Sequence, residues 1–120
     1  MSKTKSILFI ITEDWYYLSH RRELALFAKN IGYKINVLTK INEINILNID
    51  KDINLIDWNI DRSSKNLFKE FQAIKKISKS IKKINPDIVH AVGLKPIIYS
   101  GIISRFHKKV SFLYAFAGLG

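Results

Sequence analysis

Hydrophobic and polar positions along the chain change period several times, and each change marks an element. SILFIIT (Ser6–Thr12) is an unbroken apolar run of strand length, the pattern of a strand covered on both faces. From Ser19 to Ile31 the period lengthens. Leu24, Phe27, Ala28 and Ile31 recur at three- and four-residue spacing, which predicts an amphipathic helix with Ser19 as N-cap and Gly32 as its stop. YKINVLT (Tyr33–Thr39) predicts a second strand, Asn42 to Asp52 is irregular and polar, and NLIDW (Asn54–Trp58) predicts a short third strand. A long helix is expected to start near Asp61, Ser63 and Ser64 and to stop at about Ile84, ahead of Pro86. Its apolar stripe is Leu67, Phe68, Phe71, Ile74, Ile77, Ile81 and Ile84. DIVHAV (Asp87–Val92) reads as a fourth strand, Pro96 suits the first turn of a helix reaching about Phe106, and VSFLYAF (Val110–Phe116) reads as a fifth strand.

Strands alternating with helices, and apolar on both faces, imply right-handed βαβ units and a parallel sheet. The expected fold is therefore α/β: one Rossmann-like doubly wound sheet over residues 1–120, in strand order 3-2-1-4-5. In such a sheet ligands bind outside the carboxyl ends of the strands where the order reverses. That point lies between strands one and four, so the segments after them, Thr12–Leu18 and His90–Lys95, are the places to look for chemistry.

Composition narrows the partners. The 48% hydrophobic content is that of a globular domain and excludes a disordered chain. There is no cysteine, which excludes disulfides and thiolate chemistry, and the three histidines are scattered, so no metal site is expected. The apolar run after Lys3 and Lys5 ends at Glu13 and Asp14, so no secretory signal is read, and nothing is long enough to span a bilayer. A cytoplasmic protein is expected. The net charge of +10 is uneven: residues 1–60 carry 8 basic and 7 acidic side chains, residues 61–120 carry 12 and 3. Such asymmetry suits a polyanionic neighbour. Lys75, Lys76, Lys79, Lys82 and Lys83 on the long helix are either a solvated face or a surface for an anionic bilayer at the inner face of the plasma membrane. Aromatics do not alternate with these lysines and no nucleic-acid motif is present, so nucleic acid is an unlikely partner.

The most unusual stretch is TEDWYYLSHRRELA (Thr12–Ala25), dense in aromatic and charged residues just after the first strand. No glycine precedes Gly32, so a GxGxxG turn is absent, which argues against NAD or FAD binding here, and a P-loop is excluded by the same absence. With Ser19 as N-cap, His20, Arg21 and Arg22 lie in the first helical turn, where anions are favoured. Asp14 and Glu13 are candidates for a base or for hydrogen bonds to hydroxyl groups. Trp15, Tyr16 and Tyr17 either stack on a sugar ring or wedge the segment against the helix. His90, at the end of the fourth strand, is a cleft residue or a core histidine. Gly93 suits a turn, Lys95 a phosphate, and Gly118 and Gly120 a close backbone approach to the cleft.

The segment ILFIITEDWYYLSHRRELALFAKNIGYKINVLT resembles the opening of the family-four glycosyltransferases, bacterial enzymes of surface-polysaccharide synthesis. IVHAVGLKPIIYSGIISR and the terminal AFAGLG are similar to later parts of the same N-terminal domain. The resemblance implies one half of a GT-B architecture: an acceptor-binding domain facing a donor-binding domain that carries a Glu-x7-Glu segment. It implies retaining transfer from a nucleotide sugar to a glycan or lipid-linked acceptor. Asp14, His20 and His90 are then the catalytic candidates, with Glu13, Trp15, Arg21, Lys95 and Gly118 on the acceptor side. No cofactor is expected on this chain, and the nucleotide-sugar donor belongs to a donor-binding half absent from these 120 residues, so this fragment alone is expected to be inactive. The pattern departs from many relatives in three places. Glu13-Asp14-Trp15 stands where they have a Gly-Gly turn, Val92 replaces the second histidine of a His-x-His whose first is His90, and Tyr114-Ala115-Phe116-Ala117 lacks a histidine at the end of strand five.

Two other functions fit the same residues: a non-catalytic membrane-docking subunit of a split glycosyltransferase, and a standalone Rossmann-like binding module for a phosphorylated ligand. An uncovered sheet edge near Val110–Phe116 predicts self-association.

Overall fold

The computed structural model describes residues 4–42, 45, 48–60 and 66–116. Its centre is a five-stranded, fully parallel sheet: β1 (Ser6–Glu13), β2 (Lys34–Lys40), β3 (Asn54–Asp57), β4 (Ile88–Val92) and β5 (Ser111–Ala115). The order is β3-β2-β1-β4-β5, as the alternation of elements predicts. β1 lies between β2 and β4, pairing Ile7 with Ile35 on one side and with Ile88 on the other. It is buried on both faces through Ile11, which is why its sequence shows no period-two alternation. The strand starts are pinned by side chains: Ser6 N–H donates to Asp87 Oδ2 at 2.8 Å, and buried Asn36 donates to the Ile7 carbonyl at 3.1 Å while accepting from Asn54 at 2.9 Å.

The first helical region departs from the expectation. Ser19 is not an N-cap. Glu13 stays extended (φ −122°, ψ 135°) and the chain turns helical at once in α1 (Asp14–Tyr16), so Thr12–Leu18 is a strand end and a helix start with no loop between. Five residues, Tyr17–Arg21, then wind as a π turn before α2 (Arg22–Asn30). A π turn holds one residue more than an α turn, which rotates the helix beyond it by about 100°. Tyr17, Ala25 and Ala28 consequently face the sheet, while Leu24, Phe27 and Ile31 of the expected apolar face are exposed.

The opposite face of the sheet carries α3 (Leu67–Ile84) and α4 (Leu94–Ser104). Asn66 caps α3, its side chain accepting from Phe68 N–H at 2.9 Å, and Asn85 ends it in the left-handed conformation (φ 51°) just before Pro86. The expected start at Asp61, Ser63 and Ser64 lies outside the described residues. Ala73, Ile77, Ser80 and Ile81 form the buried stripe with Ile74 and Ile84 beside it, but Leu67, Phe68 and Phe71 point outward, against expectation. Pro96 falls in the first turn of α4 as predicted, and Gly93 precedes that helix at φ 99°, a conformation that favours glycine.

Two cores result. Under α3 and α4, Leu8, Ile10, Leu38, Val89 and Ile103 surround Trp58, whose indole donates to the Ala73 carbonyl at 3.3 Å. Under α2, Phe9, Ile11, Ile35 and Val37 pack with Tyr17 and Ala25.

Candidate functional site

The carboxyl ends of β1, β2 and β4 form the edge at which the strand order reverses. Glu13 and Asp14 leave β1 there, and Gly93 and Lys95 leave β4 there. Asp14, however, is fully buried. Its carboxylate accepts from Asn42 N–H at 2.7 Å, Asn42 Nδ2 at 3.2 Å and Asn45 Nδ2 at 3.0 Å. A carboxylate so enclosed latches the segment after β2 onto the start of α1, and this corrects its assignment as an acceptor-activating base. Glu13 is half-buried and pairs in register with Lys40, at the rim of the edge.

The three aromatics divide between the two expectations. Tyr17 is a core residue, edge-on to Phe9 with ring centroids 6.2 Å apart, and burial pushes its phenol well above the ordinary tyrosine range. Trp15 is half exposed and stands edge-on to Tyr16. Tyr16 in turn stacks on His20 at 4.2 Å and 7°. His20 lies within the π turn, beyond the first helical turn to which it was assigned, because the helix begins at Asp14. It is exposed, with Nδ1 2.6 Å from Ser19 Oγ. Arg22 forms a two-pronged pair with Asp50, 3.0 Å at each contact, and so is engaged in holding α2 to the chain before β3.

His90 also moves from its expected place. It is the third of five residues in β4, not the last, and its ring lies on the α2 side, edge-on to Phe9 at 5.4 Å. Neither ring nitrogen makes a well-formed hydrogen bond, and the nearby Arg21 Nε is likewise buried without a partner among the described residues. Burial, and then the charge of Arg21, hold His90 below the ordinary histidine range, with the Leu113 backbone pulling weakly the other way. The Arg21 charge thus reaches His90 on the α2 face, while the Arg21 guanidinium itself donates to the His20 carbonyl at 3.1 Å. Gly118 and Gly120 lie outside the described residues.

Lys95 leads to residues the sequence reading missed. Its ammonium lies 3.2 Å from Glu70 Oε1. Around that pair opens a pocket of about 130 Å³ lined by Asn59, Ile60, Lys69, Glu70, Gln72, Ala73, Lys95 and Tyr99. Tyr99 is buried at its base, and burial together with the adjacent Glu70 carboxylate pushes its phenol up to about 12. Two ammonium groups, a carboxylate, two amides and a phenol around one small opening are a set of donors and acceptors suited to hydroxyl-rich ligands. One sequence signal was present: Glu70 is the only acid on a helix of lysines. Among the described residues no group of His, Asp and Glu is arranged to hold a metal.

Solved structures with the same fold cover nearly all of this chain. A glycosyltransferase from Rickettsia africae superimposes with a TM-score of 0.74 at 24% identity over 99% of the chain and 31% of its own length. MurG from Acinetobacter baumannii gives 0.72 at 16% identity, over 93% and 35%. A Listeria monocytogenes structure assigned as a UDP-N-acetylglucosamine 2-epimerase gives 0.67 at 19% identity, over 93% and 30%. The chain thus spans about a third of the length of the structures it matches. No curated protein matches it in sequence. The profile described as Glycosyl transferase 4-like matches residues 6–120, with the Rossmann-like sheet found in GT-B glycosyltransferases, and the chain belongs to that family.

Proposed function

We propose that this chain is the acceptor-binding part of a retaining glycosyltransferase of surface-polysaccharide assembly. A sugar moves from a nucleotide-sugar donor, held by a second Rossmann-like half, to a glycan or lipid-linked acceptor held by this one. The observation that carries the reading is the family match over residues 6–120 together with the polar pocket that opens at the carboxyl edge of the sheet. Retaining transfer in this fold asks mainly for positioning and charge stabilisation. Lys95 and Glu70 present a donor and an acceptor to acceptor hydroxyls, Glu13 and Trp15 border the same edge, and along the π turn Arg21 supplies positive charge and His20 an exposed imidazole. Asp14 takes the part of a positioning residue, and His90 shapes the Arg21 environment from the core side. The acceptor's lipid places the protein at the cytoplasmic surface of a membrane, against which the lysines of α3 are set.

The test is a titration followed by backbone amide shifts. A saccharide carrying a polyprenyl phosphate should move resonances at Glu13, Lys95 and Tyr99, and a nucleotide sugar should bind only in the millimolar range. Micromolar binding of a nucleotide sugar to this chain alone overturns the assignment.

A further inference from the structure

Ser19 does not cap a helix, and its hydroxyl is engaged twice inside the π turn. Its Oγ lies 2.6 Å from His20 Nδ1 and 3.4 Å from the Tyr16 carbonyl oxygen. A hydroxyl carries one proton, so it cannot donate to both neighbours. If it donates to Nδ1, two oxygens face each other lone pair to lone pair across the longer contact. If Nδ1–H donates to Oγ, the hydroxyl proton is left for the carbonyl, and both contacts are hydrogen bonds. The second arrangement satisfies every group. A serine inside a helix ordinarily bonds back to the preceding turn in this way.

The ring is held on its face as well. Tyr16, four residues earlier, stacks on it at 4.2 Å and 7°. Turning the imidazole over would put a carbon against Ser19 Oγ, so edge and face together fix one orientation. In a neutral imidazole with its proton on Nδ1, Nε2 is a bare acceptor. Nε2 has no hydrogen bond among the described residues, and the residue is exposed. The other two histidines differ. His90 is buried with neither nitrogen well bonded, and His107 Nε2 is buried without a partner among the described residues.

The surroundings of His20 show what such an acceptor meets. The residue stands fewer than two helical turns past Asp14, which leaves β1 at the carboxyl edge. Trp15, half exposed and edge-on to Tyr16, continues the aromatic row toward that edge. Aromatic rings suit the C–H faces of sugars, and an acceptor nitrogen beside them suits a hydroxyl. A phosphate presents acceptor oxygens and would meet the Nε2 lone pair with its own. π turns are rare and occur mostly at functional sites, and this one holds both Ser19 and His20.

We propose that Ser19 is a positioning residue: it fixes His20 as the Nδ1–H tautomer, so that Nε2 accepts a hydrogen bond from a hydroxyl of the glycan acceptor. The ligand's role rests on the acceptor-binding reading above. The tautomer does not, because it is read with no sugar present.

The experiment starts with a long-range nitrogen–proton correlation spectrum of the histidine rings in the isotope-labelled chain, at alkaline pH. His20 Nδ1 is expected at the shift of a protonated ring nitrogen and Nε2 at that of a bare one. Ser19→Ala should move the ring toward the Nε2–H form, which a free histidine side chain favours in water. Ser19→Thr keeps the hydroxyl and should restore the wild-type spectrum. The saccharide carrying a polyprenyl phosphate should bind His20→Phe about fivefold more weakly, the weight of one neutral hydrogen bond. Ser19→Ala should weaken it in the same direction by less, and Ser19→Thr should not. Inorganic phosphate should leave the Nε2 resonance in place. A wild-type ring protonated on Nε2, a tautomer unmoved by Ser19→Ala, or undiminished saccharide binding by His20→Phe overturns the inference and leaves the acceptor-binding reading standing. Phosphate that drives Nε2 to its protonated form makes the π turn an anion site and overturns the inference too. A Ser19-dependent tautomer in a chain that the saccharide does not perturb overturns the acceptor-binding reading, and the ligand's role with it.

Discussion

On the α3–α4 side of the sheet the core is organised around Trp58, with its single indole hydrogen bond satisfied, and the polar groups it buries, such as Ser80, Ser100 and Asn36, are small and uncharged. On the α1–α2 side, polar groups have been drawn inside: the Asp14 latch is fully satisfied, while Tyr17 Oη, Arg21 Nε and both nitrogens of His90 lie buried without well-formed hydrogen bonds. The surfaces are reversed. The α2 face pairs its charges, through Arg22–Asp50 and Lys29–Asp52, whereas the α3–α4 face carries rows of cations opposed by Glu70. A side that turns its polar groups inward is held by specific contacts, and a side that keeps its charge outside presents that charge as a field to the solvent.

Three perturbations break or sharpen this contrast. Trp58→Ala should be the most damaging, costing about 3–5 kcal/mol, because it empties the centre of the apolar core. Urea unfolding followed by circular dichroism measures it, and a loss below 1 kcal/mol would show that the core can close over the gap. Asp14→Asn keeps the shape and removes the charge that three N–H groups address, so a loss on the order of 2–3 kcal/mol is expected. Hydrogen exchange should show the Asn42 amide opening before the sheet does. Unchanged protection there would mean that the latch holds nothing.

The third perturbation is acid. His90 titrates below its ordinary 6.5 in the folded protein, so the unfolded chain binds this proton more readily. Stability from this group is full above about 6.5, and it falls as the pH drops through that value toward the lower folded one. His107 is depressed in the same direction and contributes its own share. His90→Gln should flatten part of the slope between pH 7.5 and 5.5. An unaltered slope would leave His107 and the carboxylates as its source.

Sheet order and strand positions were legible because β1 and β4 are apolar on both faces, a pattern that only a covered parallel strand requires. Helix phase was less so. Nothing in YLSHR announces a π turn, and of the expected stripe only Ala28 reaches the sheet, joined there by Ala25 while Leu24 and Phe27 are exposed. Small residues bury well where a helix lies close to a sheet, and a pattern that weights large apolar side chains misses them. The candidate site was half legible. Topology pointed to the carboxyl edge and to Lys95, but Glu70 on α3 stands 25 residues before Lys95 and 29 before Tyr99, and the three meet only after folding. Asp14 looked available because loops are usually exposed, and in this protein there is no loop.

The sheet's connectivity also has a consequence in time. Ser6 and Asp87 stand 81 positions apart yet share a hydrogen bond, and the central strand has a neighbour on each side only after the fourth has arrived. While the chain is being made, the most apolar segment waits with one flank open, and closing it means bringing distant segments together, the slow kind of folding. Substitutions in Ile88–Val92 are therefore expected to show much of their destabilisation as slower folding, because β4 must arrive before the central strand is closed on both sides.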